Sequence, residues 1–136
     1  MTAIADLSAV ALAAAIRSKA VSPVEAVEAA LARIEEKAEL NAFMAVSAER
    51  ARAEAQAAEA KVMRGETLGS LHGIPFSAKD LTNTEGVATT QGAALFADNV
   101  PKADAVAVAR ARTAGAILIG KTTTPEFGHK PFTEGP

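Results

Sequence analysis

Cysteine, tryptophan and tyrosine are absent from the 136 residues. Without cysteine there is no disulfide framework, no thiolate metal site and no thiol nucleophile. No apolar run approaches the roughly 20 residues that span a bilayer. The opening Met1-Thr2-Ala3-Ile4-Ala5-Asp6 lacks the charged region and cleavage pattern of a secretory signal. Excess charge of one sign is missing as well: 14 basic and 16 acidic residues are interspersed, so no basic face points to nucleic acid or anionic lipid. The expectation is a soluble, cytoplasmic chain of single-domain size.

What is abundant is alanine, with 34 residues against 33 larger apolar ones. Alanine favours helix at almost no side-chain entropy cost but contributes little burial energy. Leu, Ile, Val and Phe together number 30, only just above the level of chains that form no core. The composition predicts ready helices around a thin core, as in one part of a larger protein.

The pattern predicts helix over Leu7–Lys19, with Leu7, Val10, Leu12 and Ile16 as its apolar positions. A second helix starts at Ser22-Pro23-Val24-Glu25, where Ser22 and Glu25 form a capping box and Pro23 fits the first turn. Val24, Val27, Leu31, Ile34 and Ala38 give this helix, Pro23–Ala38, one apolar stripe. Its acidic residues Glu25, Glu28, Glu35, Glu36 and Glu39 read as a solvated side. Asn41 to Val46 is a strand or a packed connection. Ser47 is placed to cap a third helix, Ala48–Arg64, closed by Gly65. Its stripe is nearly all alanine, which places it on the outside of the molecule. After Gly65 the helical period gives way to a strand near Ile74–Lys79, a helix near Asp104–Ala114 closed by Gly115, and a buried strand at Ala116–Ile119. A helix leading into a buried strand implies an α/β layer arrangement.

Gly115 to Thr122 matches the phosphate-loop pattern G-x-x-x-x-G-K-[ST] in letters only. A phosphate loop needs a preceding strand and exposed amides, whereas helix precedes this segment and Ala116-Ile117-Leu118-Ile119 call for burial. The expectation is a cap at Gly115, a strand, and a turn at Gly120. Lys79 ends an apolar run whose period of two puts Phe76 and Ala78 on one face and Ser77 and Lys79 on the other. A lysine so placed is either a partly desolvated general base or a surface lysine paired with Asp80. His72 and His129 lie far apart in turn-rich stretches, without carboxylates at metal-ligand spacing, and read as structural or exposed.

Taken together, four pieces in order change the weight of Lys79. Leu71-His-Gly-Ile-Pro-Phe-Ser-Ala-Lys79-Asp80-Leu81 resembles the catalytic-lysine segment of the amidase signature family. It is followed by Gly86-Val-Ala-Thr-Thr90, by Asp104-Ala-Val through Ala114-Gly-Ala-Ile-Leu118, and by Gly120-Lys-Thr-Thr-Thr-Pro-Glu-Phe127. The resemblance implies an α/β fold in which N-terminal helices precede part of a central mixed sheet flanked by helices. Residues 1–136 are then the N-terminal part of a single domain, with 1–65 helical and 66–136 opening the α/β core. It also implies hydrolysis of a carboxylic amide by a triad of lysine, a serine with a cis peptide bond and a nucleophilic serine, through an acyl-enzyme. Lys79 matches the lysine, and Asp80 matches an acidic position to which no catalytic step is assigned.

The family's two serines and its oxyanion-hole amides belong to a Gly- and Ser-rich segment downstream of any residue here. None of Ser8, Ser18, Ser22, Ser47, Ser70 and Ser77 has that setting. The chain alone is therefore expected to be inactive and to expose apolar surface. Its expected partners are a small-molecule amide and the remaining C-terminal portion of the same protein, with a homodimer also open to it. No cofactor or metal is implied, and neither nucleic acid nor membrane binding is indicated. Two alternatives stand beside the amidase reading: the glutaminase subunit of a tRNA-dependent amidotransferase, and a non-catalytic truncated paralogue.

Overall fold

The structure, a computed structural model, describes residues 3–133. Helix α1 (Ala9–Arg17) starts where the Ser8 hydroxyl accepts from the Ala11 amide, and it buries Leu12 and Ile16. Val10, expected in the same stripe, is 82% exposed. Helix α2 (Pro23–Glu36) has the full capping box, with Glu25 N–H donating to Ser22 Oγ at 3.1 Å and Ser22 N–H to Glu25 Oε2 at 2.8 Å. Val27 and Leu31 form its buried stripe, while Ala38 has passed into the short 3-10 turn Ala38–Leu40.

A short strand β1 (Phe43–Val46) leads into α3 (Ala48–Met63), which ends before Gly65 in the left-handed conformation at φ +69. Ser47 does not cap α3 with its side chain. Its backbone N–H instead donates to the Ile119 carbonyl at 2.9 Å, which holds it away from the extended geometry a cap requires.

The outer position expected for α3 is also corrected. Ala51, Ala55 and Ala58 are buried with Val27, Leu31, Ile117 and Ile119 in the main core cluster. Small side chains bury little each, but they let two backbones approach closely, so an alanine face seats a helix in a core built on proximity rather than bulk. Only the far side of α3, with Arg52, Ala53 and Gln56, is exposed. Arg52 reaches back to Glu28 of α2 in a two-pronged pair at 2.6 and 3.0 Å, which lowers the Glu28 pKa.

Strand β2 (Pro75–Lys79), helix α4 (Val106–Thr113) and strand β3 (Ile117–Thr122) complete the regular elements. The sheet order is β1-β3-β2, with β1 antiparallel and β2 parallel to the central β3, so the expected mixed sheet is present. Ile117 and Ile119 face α2 and α3; Leu118 packs with Ala78, Val87 and Val108 of α4 on the other side. Helices therefore cover both faces of β3. The expected turn at Gly120 is not there, because β3 runs on to Thr122. A Cβ at Gly120 would collide with the Ala45 carbonyl and the Phe43 ring, so glycine admits β1 at close range.

Gly73 (φ +75) sits against Pro23 and Ile16, and its N–H donates to the Gly115 carbonyl at 2.9 Å. These contacts dock the start of β2 onto the turn between α4 and β3. Replacing Ala51 by Leu is expected to destabilise the fold by about 1–3 kcal/mol through overpacking. The same change at exposed Ala53 should stay within about 0.5 kcal/mol. Urea unfolding midpoints of the two variants compare them directly.

Candidate active site

Lys79 is the last residue of β2 and pairs in register with Thr122 of β3. As period two requires, Ala78 is buried while Ser77 and Lys79 are exposed together on the opposite side. The desolvation considered for Lys79 is thus not provided by residues 3–133. The surface pairing with Asp80 is not formed either. No hydrogen bond or ion pair holds the Lys79 amine among the described residues.

Asp80 turns the other way and is fully buried. Its carboxylate accepts from the Thr90 amide at 3.1 and 3.2 Å and from the Thr90 hydroxyl. Its own N–H donates to the Thr122 carbonyl at 3.0 Å, and its carbonyl accepts from Gln91 N–H at 3.0 Å. The returning chain at Gln91 (φ 55) and Gly92 (φ +71) passes so close to Thr124 and Pro125 that a Cβ at Gly92 would strike their backbone. Phe127 N–H closes this approach by donating to the Gln91 carbonyl at 2.8 Å. Three segments separate in sequence, around Lys79, Thr90 and Thr124, thereby meet at one end of the sheet.

The residue that local sequence reasoning missed is Lys121, whose side chain is completely buried. The register explains how it gets there. Phe76 pairs with Leu118 but Ser77 with Gly120, so β3 advances two residues for one on β2. This bulge reverses the alternation and brings Lys121, opposite Ala78, to the Leu118 side of the sheet. An ammonium has three protons to donate. Lys121 Nζ places them on the Thr82 carbonyl, the Thr89 hydroxyl at 2.7 Å and the Thr84 hydroxyl at 3.2 Å, with the Asp80 carboxylate 3.8 Å away. Burial pushes the Lys121 pKa below the ordinary lysine value, and Asp80 pulls it back upward. A lysine so enclosed cannot hold a nucleotide phosphate. Gly115 is a turn and Ile117–Thr122 the strand β3, so the segment is not a phosphate loop.

The two histidines stay apart. His72 is buried, its Nε2 2.9 Å from the Ala58 carbonyl of α3. A carbonyl only accepts, so Nε2 carries the proton. This is a structural bond between α3 and the segment before β2. His129 is exposed. Among the described residues no group of three His, Asp or Glu side chains could hold a metal ion, and no helix is long and apolar enough to cross a membrane.

The amidase family model matches residues 25–136, a span that contains every side chain of this site. The chain belongs to the amidase signature family. It is 46% identical over 115 residues to a glutamyl-tRNA(Gln) amidotransferase subunit of Anaeromyxobacter sp. (strain K), covering 84% of this chain and 23% of that protein. It is 40% identical over 124 residues to an acylamidase of Rhodococcus erythropolis, covering 90% of this chain and 26% of that one. A bacterial aryl acylamidase of the amidase signature family superposes with a TM-score of 0.92 at 28% identity, over 99% of this chain and 29% of its own. The chain spans about a quarter of the length of the curated relatives it matches.

Two measurements check this amidase-family core. Lys121→Met strands the Asp80 carboxylate and the three acceptors, and is expected to cost about 3–5 kcal/mol of unfolding free energy. The pH response has a definite sign. Between its lowered folded pKa and the ordinary lysine value, Lys121 is deprotonated in the folded state and protonated in the unfolded one. The unfolded state then binds more protons, so stability conferred at this site rises with pH across that window. The unfolding free energy of the wild type relative to Lys121→Met should accordingly increase as pH climbs through it. A difference that falls with pH contradicts the assignment.

Proposed function

We propose that this chain supplies the general base of an amide hydrolase, and that the base is Lys79. The observation that carries the reading is the placement of Lys79 in a family-matched segment, with its amine unengaged at an open strand end while Asp80 beside it is locked inward. The Lys79 amine takes a proton from a bridging serine, which in turn deprotonates a nucleophilic serine. The nucleophile attacks the amide carbonyl, the amine or ammonia leaves with a proton, and water releases the acid from the acyl-enzyme with Lys79 again serving as base. Both serines and the oxyanion donors come from residues beyond these 136, so the partners are the remainder of the same protein and a small-molecule amide in the cytoplasm.

A lysine base rests uncharged, a state that burial favours. The side of β2 bearing Ser77 and Lys79 is open, and further residues seated there would supply that burial. Residues 1–65 and 66–136 act in this reading as one unit, the helices backing the sheet edge that presents the base. A glutaminase subunit would use Lys79 in the same way; hydrolysis of the amide itself is the step proposed.

In the intact enzyme, Lys79→Ala is expected to abolish amide turnover while the far-UV circular dichroism and unfolding midpoint stay near those of the wild type. Lys79→Arg should be nearly as damaging, because a guanidinium remains protonated at any working pH. Near-normal turnover by either variant returns Lys79 to the role of a surface lysine, and a non-catalytic paralogue would then be the better description.

A further inference from the structure

Lys121 is the only buried lysine among the described residues, and the amide chemistry proposed for Lys79 makes no use of it. All three of its donors land on one turn, the chain that leaves Lys79 and returns at Thr89. We propose that Lys121 is a positioning residue for Lys79, clamping that turn to β3 and so fixing the backbone from which the catalytic amine projects. The proposal rests on the reading of Lys79 as the base.

The clamp reaches Lys79 through two links. Lys121 Nζ donates to the Thr82 carbonyl, and the N–H of the same Thr82 donates to the Lys79 carbonyl at 2.8 Å. On the other side of the peptide plane, Asp80 N–H donates to the carbonyl of Thr122, the residue after Lys121, at 3.0 Å. The Lys79–Asp80 junction is thus held from both β3 and the turn, and the Lys121 side chain holds the turn. Its side chain lies on the α4 side of the sheet while that of Lys79 is exposed on the opposite side, so Lys121 cannot touch a reacting group and acts only through the main chain.

Filling this space is a task that an apolar residue would perform without the desolvation an ammonium suffers. An apolar residue would leave the Thr82 carbonyl unheld, however, and so loosen the residue whose N–H holds the Lys79 carbonyl. A base displaced by about an ångström loses on the order of a hundredfold in rate. A charge buried behind the base, with every proton committed to the turn that leaves it, fits that demand.

The test is made in the intact enzyme with Lys121→Met, and with Leu31→Ala in the main core as a variant that lowers stability elsewhere. Both are assayed at a temperature where circular dichroism shows them folded. Lys121→Met is expected to lose about a hundredfold in kcat with KM within about threefold of wild type. Leu31→Ala should keep its kcat. Measured relative to the amides of α2 and α3, hydrogen exchange at the Asp80 and Thr82 amides should accelerate on the order of tenfold in Lys121→Met, a local loosening that Leu31→Ala does not produce. If Lys121→Met does not fold, Thr89→Val removes one acceptor without leaving a charge unpaired. It is then expected to show the same two effects in smaller measure.

A folded Lys121→Met or Thr89→Val variant with wild-type kcat overturns the proposal, as does unchanged exchange at Asp80 and Thr82. Full turnover by Lys79→Ala overturns the base reading instead. The two failures are told apart because the exchange rates do not depend on turnover: they still accelerate if the clamp exists and stay at wild-type values if it does not.

Discussion

A single buried ammonium organises the second half of this chain. Lys121 arrives inside the sheet because β3 carries an extra residue relative to β2, and its three protons are then distributed over Thr82, Thr84 and Thr89. An unpaired charge in that position would be prohibitive, and an incompletely paired one would still cost several kcal/mol. The turn therefore has to close around it. Once it closes, Asp80 is drawn inward to Thr90, Gln91 is tied to Asp80, and Phe127 is tied to Gln91. The direction in which Lys79 points, away from all of this, follows from the alternation of a strand whose other side is occupied.

The helical half plays a simpler part. α2 and α3 cover one face of the sheet, and their contact with Ile117 and Ile119 shields β3 on that side. α4 with Val108 and Val87 covers the other. Two of the three core clusters thus lie against one strand, the one that carries Lys121, and the third joins Leu12, Ile16, Ala26, Val62 and Ile74. Elsewhere large apolar side chains remain at the surface, among them Leu40, Leu95, Phe127 and Phe132, as expected of residues that belong to a longer protein.

Much of this was legible in the sequence where one residue's chemistry decides one local geometry. Ser22-Pro23-Val24-Glu25 specifies a helix start on its own, and the structure has both bonds of the box. The apolar Ala116–Ile119 run specifies burial on both faces, and period two specifies the side on which Lys79 lies. What failed was whatever depends on a partner distant in sequence. Ser47 is a capping residue by type, but its amide is claimed by Ile119, 72 residues later. The alanine face of α3 shows that closeness to a neighbour, and not side-chain volume, determined where the helix packs. The burial of Lys121 was not legible because its acceptors lie 32 to 39 residues upstream and its inward turn depends on a bulge. The available signal was the unbroken run from a fully apolar strand straight into Gly120-Lys121, with threonines concentrated in the loop before it.

The alanine contact between α2 and α3 has a thermal consequence. Opening it would expose little apolar surface, so it adds little to the heat-capacity change of unfolding. Leucine-rich interfaces weaken on cooling as the hydrophobic driving force fades. A seam in which Ala51, Ala55 and Ala58 meet Val27 and Leu31 has less of that force to lose. The support beneath β3 therefore loses less on cooling than a contact with leucine on both helices would, and what it does lose falls on Val27, Leu31, Ile117 and Ile119.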